Sequence, residues 1–290
     1  MVPLSGKTRI CGVMGDPIKH TLSPTIHNAA FNHLKLDFVF LAFRVKATDL
    51  ENAMRGIRGL GIHGLNVTMP HKNKVINHLD EMDPTVQFLG SANTILNREG
   101  KLSGFNTDGI GALQALQENG VNLSEKKVLL LGAGGAAKAI AFSLAPKVGE
   151  LAVLNRATEK ATKLAEALRQ ISDKEIVSGS LSKDAISQNM ADSDVLINAT
   201  SVGMYPAAGQ SVVPPQSLRS DLTVMDIVYN PIETKLAKDA KAAGAKVISG
   251  VEMLIQQGAA SFKIFTGKSA SIEVMRKAAL NKLSSAGDKE

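Results

Sequence analysis

Apolar positions along this chain fall into two alternating patterns. Short runs rich in branched side chains read as buried strands, at residues 9–14, 38–43, 62–67, 126–131, 151–154, 194–200, 222–228 and 246–248. Between several of them the apolar positions recur at helical spacing. Ser23-Pro24 predicts one helix start, and Thr48-Asp49-Leu50-Glu51 predicts a capping box for a helix ending before Gly59. Further helices are predicted at 73–79, after Asp108, from the glycine turn through Leu144, at 234–243, at 250–262 and at 271–283. Runs 92–96 and 102–106 flank Arg98-Glu99-Gly100 and predict a hairpin. Strands alternating with helices imply an α/β protein with largely parallel sheets.

The length of 290 residues suits two domains, and 44% hydrophobic against 21% charged residues excludes a disordered chain. One cysteine, Cys11, allows no intrachain disulfide. No apolar run approaches the ~18 residues of a membrane span, and residues 1–7 carry no apolar targeting core. A cytoplasmic protein is expected. The net charge of +6 suits anionic small ligands. No arginine-rich arm or zinc spacing accompanies it, so neither nucleic acid nor a metal is expected as a partner. The tail, residues 284–290, reads as frayed.

Candidate chemistry gathers where strands end. After the run 62–67, Asn66 and Thr68 share one face of the pleat. Pro70 forbids a continuing central strand, and Lys72 follows at the mouth. A lysine among apolar neighbours can have its pKa lowered and exchange protons. Asp108 is either the cap of the helix beginning at Gly109 or a carboxylate partner for Lys72. Thr21 and Ser23 place two hydroxyls near a helix start, suited to capping or to holding a carboxylate. His20 and His27 lack a metal-spaced partner and read as structural hydrogen-bonders.

In the second half, residues 126–131 lead into Gly132-Ala133-Gly134-Gly135-Ala136-Ala137 and then a helix. Strand, glycine turn and helix together point to a dinucleotide. Gly132 supplies the turn, Gly134 admits the pyrophosphate, and Ala137 stands where a third glycine is common. The next strand ends at Asn155-Arg156, with Lys160 one helical turn on. Two cations there suit the 2′-phosphate of NADP, while Glu159 leaves room for NAD. Residues 198–204 bring small and polar side chains to another strand end.

Taken in order, the segments 15–28, 66–72, 92–94, 106–109, 132–137, 198–204, 226–231 and 250–262 resemble the shikimate dehydrogenase family across nearly the whole chain. The resemblance implies NADP-linked, reversible reduction of 3-dehydroshikimate to shikimate in aromatic amino-acid biosynthesis. It implies three parts: a substrate-binding and catalytic domain at 1–108, a Rossmann-like NADP-binding domain at 109–249, and C-terminal helices at 250–290 packing back toward the first. Lys72 and Asp108 match the catalytic pair. Thr21, Ser23, Asn66, Thr68, Asn93, Tyr229 and Gln257 match substrate positions. Gly132, Gly134, Gly135, Ala136, Asn155, Arg156, Lys160, Thr200, Gly250 and Met253 match cofactor positions, Gly250 also lining the cleft. Thr21 replaces a usual serine, which admits quinate or an aminated shikimate as substrate. Lys160 replaces a frequent arginine. A silent NADP- or metabolite-binding regulator is the reading from another class. A monomer or homodimer is expected.

Overall fold

The computed structural model describes residues 3–287. Contacts divide the chain into two units, one drawn from the described residues of Met1–Thr107 and Ile255–Glu290, the other from Asp108–Leu254. Each is built on its own six-stranded sheet. The division falls inside one continuous helix at 254/255, rather than ahead of it at 249/250, and Asp108 opens the second unit.

In the first unit, β1 (Arg9–Gly15) is buried from Cys11 onward and lies between two parallel partners, β2 (Phe38–Arg44) and β3 (Gly64–Val67). Helix α1 (Ser23–His33) joins β1 to β2. Pro24 sits in its first turn as predicted, but Ser23 is not the cap. Leu22 holds the cap position, where its apolar side chain makes no bond, and Ser23 is already the first helical residue. The capping box at Thr48 does not form either. A short 3-10 turn, Ala47–Asp49, moves the start of α2 (Leu50–Gly59) beyond it. Glu51 pairs instead with Arg55, at 2.6 Å, one helical turn away.

The helix expected at 73–79 shrinks to a 3-10 turn at Val75–His78. Leu79 is extended, and Asp80 N–H donates to Leu102 O at 2.9 Å, drawing the chain to the sheet edge. There β4 (Glu81–Met82) and α3 (Pro84–Leu89) form, neither of them expected. Asp83 accepts from Val86 N–H at 2.7 Å, Pro84 occupies the first turn, and Gly90 ends the helix at φ 61°. The predicted hairpin is present as β5 (Thr94–Arg98) and β6 (Lys101–Phe105), antiparallel. Glu99 and Gly100 both have positive φ, the geometry that matches a two-residue turn to strand twist. The sheet order is β2-β1-β3-β5-β6-β4. Its outer strand β2 is clamped by Asn28, which donates to Phe40 O and accepts from Phe40 N–H, each at 2.9 Å. A side-chain amide thus occupies an edge that another strand could pair with.

The second unit opens with α4 (Asp108–Glu118), followed by β7 (Lys127–Leu131), α5 (Gly135–Leu144), β8 (Glu150–Asn155) and α6 (Thr158–Leu168). Next come β9 (Glu175–Ser180) and α7 (Lys183–Met190), which periodicity did not predict, although Ser182 caps α7 by accepting from Ala185 N–H. β10 (Val195–Asn198), β11 (Thr223–Asp226), α8 (Lys235–Ala242) and β12 (Lys246–Ser249) complete it. All strands are parallel, in the order β12-β11-β10-β7-β8-β9. Residues 128–131 of β7 are fully buried at the centre. The chain runs outward from β7 in both directions, so a switch point lies at the C-terminal ends of β7 and β10.

Helix α9 (Gly250–Thr266) starts in the second unit and enters the first at Ile255. Helix α10 (Ile272–Gly287) packs along α1. It continues past the point where fraying was expected, while residues 288–290 of that expectation lie outside the described residues. Among the described residues no helix is long and apolar enough to cross a membrane.

His27 corrects a further expectation. It is fully buried, and its ring stacks on Phe40 with centroids 4.2 Å apart and planes 7° apart. Neither ring nitrogen finds a hydrogen-bond partner, so the residue packs as an aromatic rather than bonding as a polar group. Burial lowers its pKa from 6.5 to about 3. The unfolded chain therefore binds a proton here below about pH 6.5 that the folded chain refuses until about pH 3. Stability from this site is full above that window and is lost as pH falls through it. His27→Leu should remove the effect: thermal melts at pH 7.5 and 4.5 should differ by several degrees less in the variant than in the parent protein. Equal losses in both would remove His27 as the cause.

Candidate active site

In the first unit the polar residues converge beneath the ends of β3 and β5. Asn66, near the end of β3, donates from Nδ2 to Asn93 O (3.2 Å), Thr94 Oγ1 (3.0 Å) and Ser261 Oγ (2.9 Å). Asn93 accepts at Oδ1 from Thr107 N–H (2.8 Å) and Thr94 Oγ1 (2.9 Å), and donates from Nδ2 to Thr107 Oγ1 (3.0 Å). Thr107 Oγ1 also reaches Gln257 Oε1 at 3.5 Å. Asn66, Asn93 and Gln257, three of the expected substrate residues, therefore belong to one connected network. Thr94, Thr107 and Ser261 complete it, and the sequence reading singled out none of these three for a role. No local spacing marks Ser261, which stands more than 150 positions from its strand partners, whereas Thr94 and Thr107 flank residues already singled out.

Thr68 lies just past β3. Its N–H donates to Met14 O at 3.0 Å, which carries the pairing with β1 one residue further. The methyl of Thr68 stands over Gly15, where an added Cβ would meet it at 2.4 Å. The next residues are pinned from both sides. His71 N–H donates to Thr68 O at 3.0 Å, and its buried ring bonds Val45 O through Nε2 at 2.7 Å. Lys72 follows, half-buried, and its own carbonyl accepts from Ala92 N–H at 2.9 Å. That bond sets the lysine backbone beside Asn93. Thr21 and Ser23 face one another at 3.2 Å between hydroxyl oxygens, with Ser23 buried and Thr21 half-buried.

In the second unit Asp108 is buried in the first turn of α4, where the helix dipole favours a carboxylate. The glycine turn after β7 behaves as its sequence suggests. Gly132 has φ +111°, and a Cβ there would lie 2.8 Å from Ala199 O, so only glycine fits. Space opens at the following two positions: a Cβ at Gly134 or Gly135 would meet nothing within 4 Å. Gly134 caps α5 with no side-chain bond, so no side chain caps the amides of that first turn, which includes Ala136. Asn155, at the end of β8, donates to Ala157 O at 3.0 Å, and Arg156 and Lys160 are exposed beyond it.

The ends of β10 and β11 are tied together. Asn198 donates to Asp226 Oδ1 at 3.0 Å and accepts from the Thr200 hydroxyl at 2.7 Å. Asp226 also accepts from Thr234 Oγ1 at 2.6 Å and Val228 N–H at 3.1 Å. Burial still holds its carboxyl above the usual carboxylate range. Tyr229 follows, its phenol pushed up by burial and therefore a neutral donor at ordinary pH. Gly250 packs onto Ile227, where a Cβ would fall 2.4 Å from the carbonyl oxygen, and Met253 is buried one turn along α9. An open glycine-lined helix start, with two cations at the neighbouring strand end, fits a phosphorylated dinucleotide. Among the described residues no group of three or more potential ligands could hold a metal ion.

Comparison with known proteins agrees with this geometry. The family profile described as shikimate dehydrogenase substrate binding domain matches residues 13–95. The one described as shikimate / quinate 5-dehydrogenase matches 114–246, and the shikimate 5′-dehydrogenase C-terminal domain matches 250–280. A shikimate dehydrogenase (NADP+) of Methanocaldococcus jannaschii is 42% identical over 281 residues, covering 97% of this chain and 99% of the relative. A crystal structure of a shikimate dehydrogenase in complex with NADP+ superimposes with a TM-score of 0.90 at 42% identity, covering 97% of this chain and 98% of that one. The Listeria monocytogenes shikimate 5-dehydrogenase, solved with shikimate and NAD, gives 0.89 at 36% identity, covering 94% and 97%. With three consecutive profiles matched and identity above two-fifths across nearly its full length, the chain belongs to the shikimate dehydrogenase family.

Proposed function

We propose that this protein is an NADP-dependent shikimate dehydrogenase that interconverts 3-dehydroshikimate and shikimate in aromatic amino-acid biosynthesis. The observation that carries the reading is the buried amide and hydroxyl network around Asn66, Asn93 and Gln257, set beside the pinned Lys72 loop. Fixed amides are suited to a polyhydroxylated ring, because each hydroxyl finds a partner held at a set angle. Thr21 and Ser23 would hold the carboxylate. Tyr229 would add a neutral hydroxyl donor. The first unit with the C-terminal helices is then the substrate domain, and the second unit the cofactor domain.

Gly132, Gly134, Gly135 and Ala136 would receive the pyrophosphate, and Arg156 and Lys160 the 2′-phosphate. Asn155, Thr200, Gly250 and Met253 line the rest of the cofactor path in this reading. The bound nicotinamide supplies or accepts the hydride. Lys72 donates a proton to the oxygen of the reduced ketone, and recovers it in the reverse direction. Asp108 is the second proton-transfer residue, with a carboxylate to orient and neutralise the charge that moves. A cytoplasmic setting and a monomer or homodimer are part of the proposal.

A matrix of initial rates tests it, with shikimate and quinate each offered with NADP+ and NAD+. Shikimate with NADP+ should give the highest kcat/KM. A second reading rests on Thr21, whose extra methyl beside Ser23 reshapes the carboxylate end. It expects quinate, or an aminated shikimate, to compete. Dominance of quinate with NAD+ would favour that second reading, and silence in all four cells would favour a non-catalytic NADP-binding regulator.

A further inference from the structure

Ser261 is fully buried on α9, one helical turn after Gln257, and four groups surround its hydroxyl. It donates to Gln257 O at 3.0 Å. Asn66 Nδ2 stands at 2.9 Å, Thr94 Oγ1 at 2.8 Å and Thr107 Oγ1 at 3.2 Å. Ser261 has one proton, for which Gln257 O, Thr94 Oγ1 and Thr107 Oγ1 are acceptors within reach, and two lone pairs. Its oxygen is then an acceptor, and Asn66 donates into it. The side-chain assignment of Asn66 is fixed independently, because the atom 3.2 Å from Asn93 O must be the nitrogen. Every side-chain hydrogen bond of Asn66 among the described residues leaves from Nδ2. Oδ1 is the atom left for a ligand.

We propose that Ser261 is a positioning residue: together with Asn93 O and Thr94 Oγ1 it holds the Asn66 amide in one orientation, so that this position of the site accepts a hydrogen bond from a substrate hydroxyl and refuses an acceptor. The proposal rests on the shikimate reading above and adds the donor sense of one contact within it. It also gives α9 a second duty. The backbone turn that carries Gln257 is bonded through Ser261 to Asn66 at the end of β3. Removing that hydroxyl takes away the shortest of the three acceptors around Asn66 Nδ2 and its bond to α9, and leaves the amide to Asn93 O and Thr94 Oγ1 alone.

The test is a double-mutant cycle on the full chain with Ser261→Ala, Asn66→Ala and the pair, reading shikimate Kd by calorimetry together with kcat and KM. Ser261→Ala should raise shikimate Kd and KM about five- to twentyfold, the size of one lost oriented hydrogen bond. It should leave kcat and the NADP+ Kd within about twofold, because neither depends on the Asn66 orientation. With Asn66→Ala already present, Ser261→Ala should add less than about twofold. A Ser261→Ala enzyme with an unchanged shikimate Kd overturns the proposal, as does an equal penalty in the Asn66→Ala background. Both results come with a parent protein that binds shikimate. A parent that binds none overturns this proposal and the substrate assignment together.

Discussion

Lys72→Ala should lower kcat by about 100-fold or more while the protein stays folded. The expectation has two parts. Backbone bonds and one ring hold the loop: Lys72 contributes a carbonyl to Ala92 N–H, while the ring of His71 and the Thr68 carbonyl hold the adjoining turn. Alanine keeps all of these bonds, so far-ultraviolet circular dichroism and the melting temperature should hardly move. The ammonium itself has no substitute. A ketone accepting hydride develops negative charge on oxygen, and a positioned proton donor in the first unit would be gone. Lys72→Arg should not rescue the rate, since a guanidinium carries the charge but does not release its proton in the working range. Shikimate KM should change little, because the loss falls on the chemical step. Turnover near that of the parent protein would take Lys72 out of the reaction.

The second large effect is expected at the cofactor. Arg156→Ala should raise the KM for NADP+ about ten- to one-hundredfold, the range of a lost charge-assisted hydrogen bond. The KM for NAD+ should stay within about twofold, since NAD lacks the 2′-phosphate that the guanidinium would meet. Arg156 is exposed past the end of β8, and α6 begins at Thr158 with no side-chain cap, so the substitution has little structure to disturb. Lys160, one turn on, keeps a point charge but not a planar fork, and should recover only part of the affinity. Equal losses with both cofactors would place Arg156 in general binding rather than in phosphate selection. An unchanged NADP+ constant would remove it from the site altogether.

Local chemistry made much of this molecule readable. The Val128–Leu131 run is apolar without a break, and it is a central parallel strand buried on both faces. Gly132 was legible because a tight strand-to-helix turn demands a residue without Cβ, and its φ of +111° bears that out. The Glu99-Gly100 turn was legible for a similar reason. Where the reading failed, the causes differed from element to element. The capping box at Thr48 lost to a 3-10 turn. The helix at 73–79 lost to the bond from Asp80 N–H to Leu102 O. The missed α3 carried readable signals in Asp83, Pro84 and Gly90, but at six residues it was too short to show periodicity. β9, with one buried residue of six at a sheet edge, presents no apolar run.

Periodicity and turn chemistry act over a few residues, so the chain alone determined its strand–helix alternation, its glycine turn, its cationic strand end and the polar residues at its strand ends. Which hydroxyl would lock which amide was decided only by folding. Ser261 meets Asn66 across 195 positions, and His27 is deprived of partners by four phenylalanines drawn from α1, β2 and α9. Such contacts leave no spacing to read, because hydrogen-bond geometry and burial are properties of the packed chain and not of its order.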